Sequence, residues 1–120
     1  MRRVRIVNSS RGTTLAEWAE VAESFVGRGI GLIGRRDWTS GDGLVILPCN
    51  SIHCFFMSLP IDVAYVDGQG KILRVVPDLK PWRLGPLVLR SRYVVELPVG
   101  TLARTESRPG DHLVLEPASR

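Results

Sequence analysis

Asp62 stands inside an otherwise apolar run, Ile61-Asp62-Val63-Ala64-Tyr65-Val66, just after Pro60. A carboxylate in such a setting must be paired, hydrogen-bonded or protonated, because an unpaired buried charge is costly. Two roles follow. In the structural one, Asp62 accepts backbone N–H bonds and fixes the bend from Phe56 to Pro60, with Arg35 as a candidate partner. In the catalytic one, Asp62 and His53 face a cleft as an acid/base pair, the core of a hydrolase. Hydrolysis would also need a nucleophile or a metal beside them. The sequence names neither, so the structural role is favoured.

Cys49, His53 and Cys54 lie close together, with His112 as a distant fourth group. A zinc site needs three or four such ligands converging tetrahedrally. The Cys-x-x-Cys pair is absent, and neighbours in a strand point to opposite faces. No metal is expected. Gly29-Ile30-Gly31-Leu32-Ile33-Gly34 satisfies Gly-x-Gly-x-x-Gly. A dinucleotide site would need a βαβ unit around it. Here Arg35-Arg36-Asp37 and a loop follow, so these glycines read as close backbone packing and no cofactor is implied.

Trp38 and Trp82 fall in loops, where aromatics often mark binding. With Arg35 they form a candidate ligand-binding set for a small anionic ligand or a protein partner. Capping the open ends of a β structure is the competing role. Arg35-Arg36-Asp37-Trp38 and Lys80-Pro81-Trp82-Arg83 are only weak versions of the basic–aromatic pattern that nucleic acid demands. The sequence argues against a nucleic-acid partner.

These residues need a scaffold, and the composition describes one. The 120 residues are 44% hydrophobic and 23% charged, enough for one domain of 1–120 with a single core. Twelve glycines and eight prolines favour short strands and many turns. Fourteen of the sixteen basic residues are Arg and the net charge is +4. The arginines are spread along the whole chain, so they describe no basic patch. No apolar run reaches the ~20 residues of a membrane span. The basic start Met1-Arg2-Arg3 lacks the apolar stretch of a signal peptide. Two cysteines make no disulfide scaffold. A soluble, cytoplasmic protein is expected.

Along the chain, Val4 to Val7 reads as a strand and Asn8 to Thr13 as a turn. Thr14-Leu15-Ala16-Glu17 fits a capping box, which predicts a helix from Leu15 to about Val26. The other reading makes Ala16 to Ala22 a strand, with Ser24 capping a helix from Phe25 to Ile33. Asp37 to Gly43 reads as a loop. Leu44–Leu47, Ile52–Met57, Ile61–Val66, Lys71–Val76, Leu87–Leu89, Tyr93–Leu97 and His112–Glu116 read as strands. Asp67-Gly68-Gln69-Gly70 is the turn of the best hairpin. Both faces of Ile61–Val66 are largely apolar, which makes it a central strand. Pro77 to Pro86 reads as a loop, Thr101 to Thr105 as a helical turn and Pro109-Gly110-Asp111 as a tight turn.

Gly31-Leu32-Ile33-Gly34-Arg35, Asp42-Gly43-Leu44, His53-Cys54-Phe55-Phe56-Met57 and Pro60 to Asp67 follow in order, then Val94 to Gly100 and Gly110-Asp111. Together they resemble the family called domain of unknown function 192, over about Val21 to Val114. Only Ser58 and Leu59 separate Met57 from Pro60, as in members with the shorter linker. The resemblance implies a mainly β fold similar to a distorted jelly-roll sandwich, with a short helix over one side. It favours the strand reading through Val21, and it implies no reaction. The expected architecture is therefore one mainly β domain, a distorted jelly-roll-like sandwich or a partly closed barrel with one or two short helices. The expected role is a small binding or accessory domain. A hydrolase-like enzyme with its cleft around Asp62 and His53 is the alternative.

Overall fold

The computed structural model describes residues 2–22, 41–47, 59–80 and 85–118. Their elements are β1 (Arg2–Asn8), β2 (Thr13–Ala22), β3 (Gly41–Ile46), β4 (Ile61–Val66), β5 (Ile72–Leu79), β6 (Tyr93–Pro98), α1 (Thr101–Thr105) and β7 (Leu113–Pro117). The seven strands form one sheet in the order β5-β4-β6-β3-β2-β1-β7. All neighbours are antiparallel except β2 and β3, which run parallel.

The two edge strands of that sheet meet. Lys71, just before β5, bridges His112, just before β7. The Ile72 N–H donates to Asp111 O at 2.8 Å, and the Leu113 N–H to Gly70 O at 2.7 Å. The sheet is thus a curled half-barrel pinned shut at one corner. Of the two architectures expected, the partly closed barrel is the one formed. Closing a sheet removes exposed edges that would otherwise invite further strands. Gly70 makes the seam possible. It has φ +89, and a Cβ there would lie 2.6 Å from Leu113 O, a distance that no side chain tolerates.

The period-two pattern sorts residues to two buried faces. Val4, Ile6, Leu15, Ala19, Val45, Ala64, Val66, Val95 and Leu97 fill the barrel interior. Leu44, Ile46, Ile61, Val63, Tyr65 and Val94 form a second cluster on the outer face. β4 lies between β5 and β6 with all six residues buried, as a central strand should.

Residues 13–22 are a strand and not the helix that the capping signal predicts. Pairing on both sides, with β1 and with β3, outweighs a local cap. The proposed helix after it, and the strand over Ile52–Met57, lie outside the described residues. Three expectations are corrected. Gly41, Asp42 and Gly43 belong to β3 and not to a loop, because they pair in parallel with Ala16, Trp18 and Ala19. A Cβ at Gly43 would sit 3.1 Å from the Ala16 Cβ, so glycine permits that close strand approach. β5 runs on through Pro77 to Leu79. Proline is tolerated there because β5 is an edge strand. Leu87–Leu89 is not a strand. The Ser91 N–H donates to Val88 O and turns the chain, leaving Leu87 and Leu89 exposed.

Among the described residues no helix is long and apolar enough to cross a membrane.

Candidate functional site

β4 aims Asp62 into the barrel, on the face it shares with Ala64 and Val66. Its neighbour across the ladder is Leu97 of β6. From there the chain passes Pro98 and turns at Gly100, with φ +97, into α1. That turn returns two backbone N–H groups to Asp62. Gly100 N–H donates to Oδ2 at 3.1 Å and Leu102 N–H to the same oxygen at 2.9 Å. On the other side, Asp78 N–H donates to Oδ1 at 2.9 Å. Asp78 is one of two described non-glycine residues with positive φ, at 53°. Asp62 therefore holds in place the one strained residue of β5.

Helix α1 has no side-chain cap of its own. The first N–H groups of a helix need acceptors. Asp62 supplies one from another strand, and its negative charge suits a helix start. Bonds to a charged acceptor contribute about 1.5–3 kcal/mol each. Only 1% of Asp62 is exposed. The carboxylate is sealed and engaged by three backbone donors, so it has no open edge to offer a substrate. The bend from Phe56 to Pro60, which Asp62 was expected to fix, lies mostly outside the described residues, as does Arg35, its expected partner.

His53, Arg35, Trp38 and Trp82 lie outside the described residues, as do Cys49 and Cys54. His112 is exposed at the barrel seam, with its backbone N–H donating to Ser10 Oγ. Among the described residues no group of His, Cys, Asp and Glu is placed to hold a metal ion.

Two acidic residues that the sequence reading passed over carry more of the electrostatics. Glu96 lies on the outer face in one cross-strand row running Arg3, Glu20, Leu44, Glu96, Val63 and Val76. The Arg3 end of the row is polar. There Arg3 pairs with Glu20 at 2.6 Å and lies 5.3 Å from the Trp18 ring centre. Glu96 sits at the apolar end, between Leu44 and Val63, and is 2% exposed. Burial pushes its carboxyl up to about 8. It is thus a neutral acid at pH 7. The signal was present in the sequence: Val94-Val95-Glu96-Leu97 is an acid inside an apolar strand, the same pattern as Asp62.

Asp111 anchors the second network. Its Oδ2 accepts from Asn8 Nδ2 at 3.0 Å, Arg11 Nε at 3.1 Å and Arg108 N–H at 3.2 Å. Asn8 Nδ2 also donates to Ser107 Oγ at 3.0 Å, which lies 2.8 Å from Thr105 Oγ1. These bonds tie the β1–β2 turn to the end of α1 and to the barrel seam. Burial raises the Asp111 carboxyl, but the Asn8 and Arg11 bonds outweigh it and hold the group below its usual value. No spacing rule links residues 8, 107 and 111, so only the fold reveals this network.

A family model described as DUF192, Uncharacterized ACR, matches residues 6–115. The UPF0127 protein PH1112 of Pyrococcus horikoshii is 33% identical over 113 residues, covering 90% of this chain and 96% of that protein. A crystal structure from Sinorhizobium meliloti, provisionally described as a transcription regulator, is 26% identical. It superposes with TM-score 0.78 over 95% of this chain and 92% of its own. A protein of unknown function from Novosphingobium aromaticivorans shares the fold at TM-score 0.80 and 19% identity, over 93% of this chain and 83% of its own.

Proposed function

The chain belongs to the DUF192 family of uncharacterized proteins, and from that premise we propose that it is a non-enzymatic binding or accessory domain. One observation carries this reading. Asp62, the residue best suited by sequence to acid/base work, is sealed in the barrel and engaged by three backbone N–H donors. A carboxylate committed in this way positions α1 and β5 and is not free to exchange a proton with a substrate. A hydrolase built on Asp62 and His53 is therefore disfavoured. In this reading Arg35, Trp38 and Trp82 make the ligand contacts, a choice supported by their residue types. A planar guanidinium suits a carboxylate or phosphate, and loop indoles offer flat apolar surface. The ligand is a small anion or an acidic surface of a protein partner. The compartment is the cytoplasm, which suits a chain with two thiols and no disulfide scaffold.

The test compares wild type with Asp62→Asn on p-nitrophenyl acetate and p-nitrophenyl phosphate, with thermal unfolding alongside. The binding reading expects no turnover above background from either protein, and a lower Tm for the variant. Turnover by the wild type that the variant loses at unchanged Tm would restore the enzyme.

A further inference from the structure

Leu87 and Leu89 are the most exposed large apolar side chains among the described residues, at 61% and 79%. A single exposed leucine is ordinary. These two flank Val88, which turns inward and packs against the outer-face cluster. The inward packing of Val88 leaves both neighbours facing solvent.

The turn that carries them is fixed in place. Ser91 N–H donates to Val88 O at 2.9 Å, which puts Leu89 and Arg90 at the two corner positions. Arg92 N–H donates to Val66 O at 2.7 Å, at the end of β4. Ser91 Oγ donates to Tyr93 O at 3.0 Å, at the start of β6. The leucines are thus presented on an anchored, convex tip.

Cations flank that tip. Arg90 and Arg92 are exposed, and so is Lys71 in the neighbouring β4–β5 turn. The two turns meet at Val66, whose carbonyl receives Arg92 and which Asp67 follows. Asp67 is the one acid of the two turns. Its Oδ1 is taken up by the Gln69 and Lys71 N–H groups, both at 2.9 Å.

An apolar tip among cations suits a surface that is apolar within and bears phosphate outside. Two leucines are far less than the roughly 1,200–2,000 Å² of a stable protein interface, and a protein would need a fitted pocket for a convex tip. A bilayer needs none. We infer that this turn docks the protein peripherally on an anionic lipid surface. Leu87 and Leu89 enter the boundary between headgroups and acyl chains, and Arg90 and Arg92 hold lipid phosphates in their planar forks. A single myristoyl chain binds membranes only marginally, and two leucines bury less hydrocarbon than that. Both the apolar and the charged contact are therefore required. This goes beyond the function proposed above and uses none of Arg35, Trp38 or Trp82.

The experiment sediments the full chain with vesicles of phosphatidylcholine alone, or of phosphatidylcholine with a quarter of phosphatidylglycerol. At low salt and millimolar lipid the mixed vesicles should carry the protein down, and the neutral ones at least tenfold less. Arg90→Gln combined with Arg92→Gln should weaken binding by about tenfold or more, the scale of two cations at an anionic surface. Leu87→Ser combined with Leu89→Ser should weaken it by about tenfold, since polar side chains no longer enter the boundary. All four positions are exposed, so both variants should keep the wild-type Tm. Glycerol 3-phosphate at the lipid concentration should not displace the protein. Absence of sedimentation, equal binding to neutral vesicles, indifference to either double variant, or displacement by glycerol 3-phosphate would each overturn the proposal.

Discussion

The carboxylate of Asp62 accepts the backbone N–H of Leu102 at 2.9 Å, across forty residues of chain. This bond makes a strand residue the cap of a short helix. A helix of five residues is too short to be stable alone. Its position depends on what receives its first N–H groups and on the burial of Thr101, Leu102 and Thr105. Asp62 therefore matters to the fold at two distant places, the start of α1 and the positive-φ residue Asp78.

Glu96 gives stability an alkaline limit. Burial raises its carboxyl from 4.5 to about 8 in the folded protein. The folded state then holds a proton that the unfolded state has already released. Stability is full below pH 4.5, falls by about 1.4 kcal/mol per unit between there and pH 8, and levels off above. Glu96→Gln, which keeps the shape and cannot ionise, should flatten this slope. Chemical denaturation across that range measures it, and an equal slope in both proteins would refute the assignment.

Asp111 should act in the opposite direction. Its folded-state value is held below 3.8, so its contribution is present above that pH and is lost as the pH falls through the folded value. Asp111→Ala leaves one hydrogen of the buried Asn8 amide and the Arg108 N–H without their acceptor. A loss of about 2–4 kcal/mol is expected, read as a shift of the denaturation midpoint at neutral pH. Asp111→Asn should lose less and should also weaken the acid limb.

Gly70→Ala tests the barrel seam. The backbone there has positive φ, and a Cβ would strike Leu113 O. Strain of this kind costs about 1–2 kcal/mol before any clash is counted. Hydrogen exchange should quicken at Ile72 and Leu113 before it does at β4. Unchanged protection at both would show that the seam does not hold the edges together.

Much of this was written in local pattern. The hairpin of β4 and β5 was legible because Asp67-Gly68-Gln69-Gly70 separates two apolar runs. In the fold, Asp67 Oδ1 accepts from Gln69 and Lys71 N–H at 2.9 Å, fixing that turn. The inward and outward faces of β4 followed from its period. The extent of β3 was not legible, because glycines that signal a loop in isolation are here the means of close parallel pairing. The structural weight of Asp62 was legible from an acid in an apolar strand. Its partners were not, since Asp78, Gly100 and Leu102 meet it only through the curl of the sheet. Glu96 carried the same signal, an acid inside the apolar strand Tyr93–Leu97, but nothing local marks which of its strand's two faces is sealed.

The most direct measurement is amide hydrogen exchange at Gly100, Leu102 and Asp78 in wild type and in Asp62→Asn, with Tm recorded on the same samples. Asn keeps one acceptor and turns a donor toward the remaining N–H groups, a loss of about 2 kcal/mol, or roughly 5–10 °C. If Asp62 is structural, all three amides are protected in the wild type, lose protection together in the variant, and the Tm falls. Unchanged protection and unchanged Tm would contradict that account and return Asp62 to the candidates for catalysis.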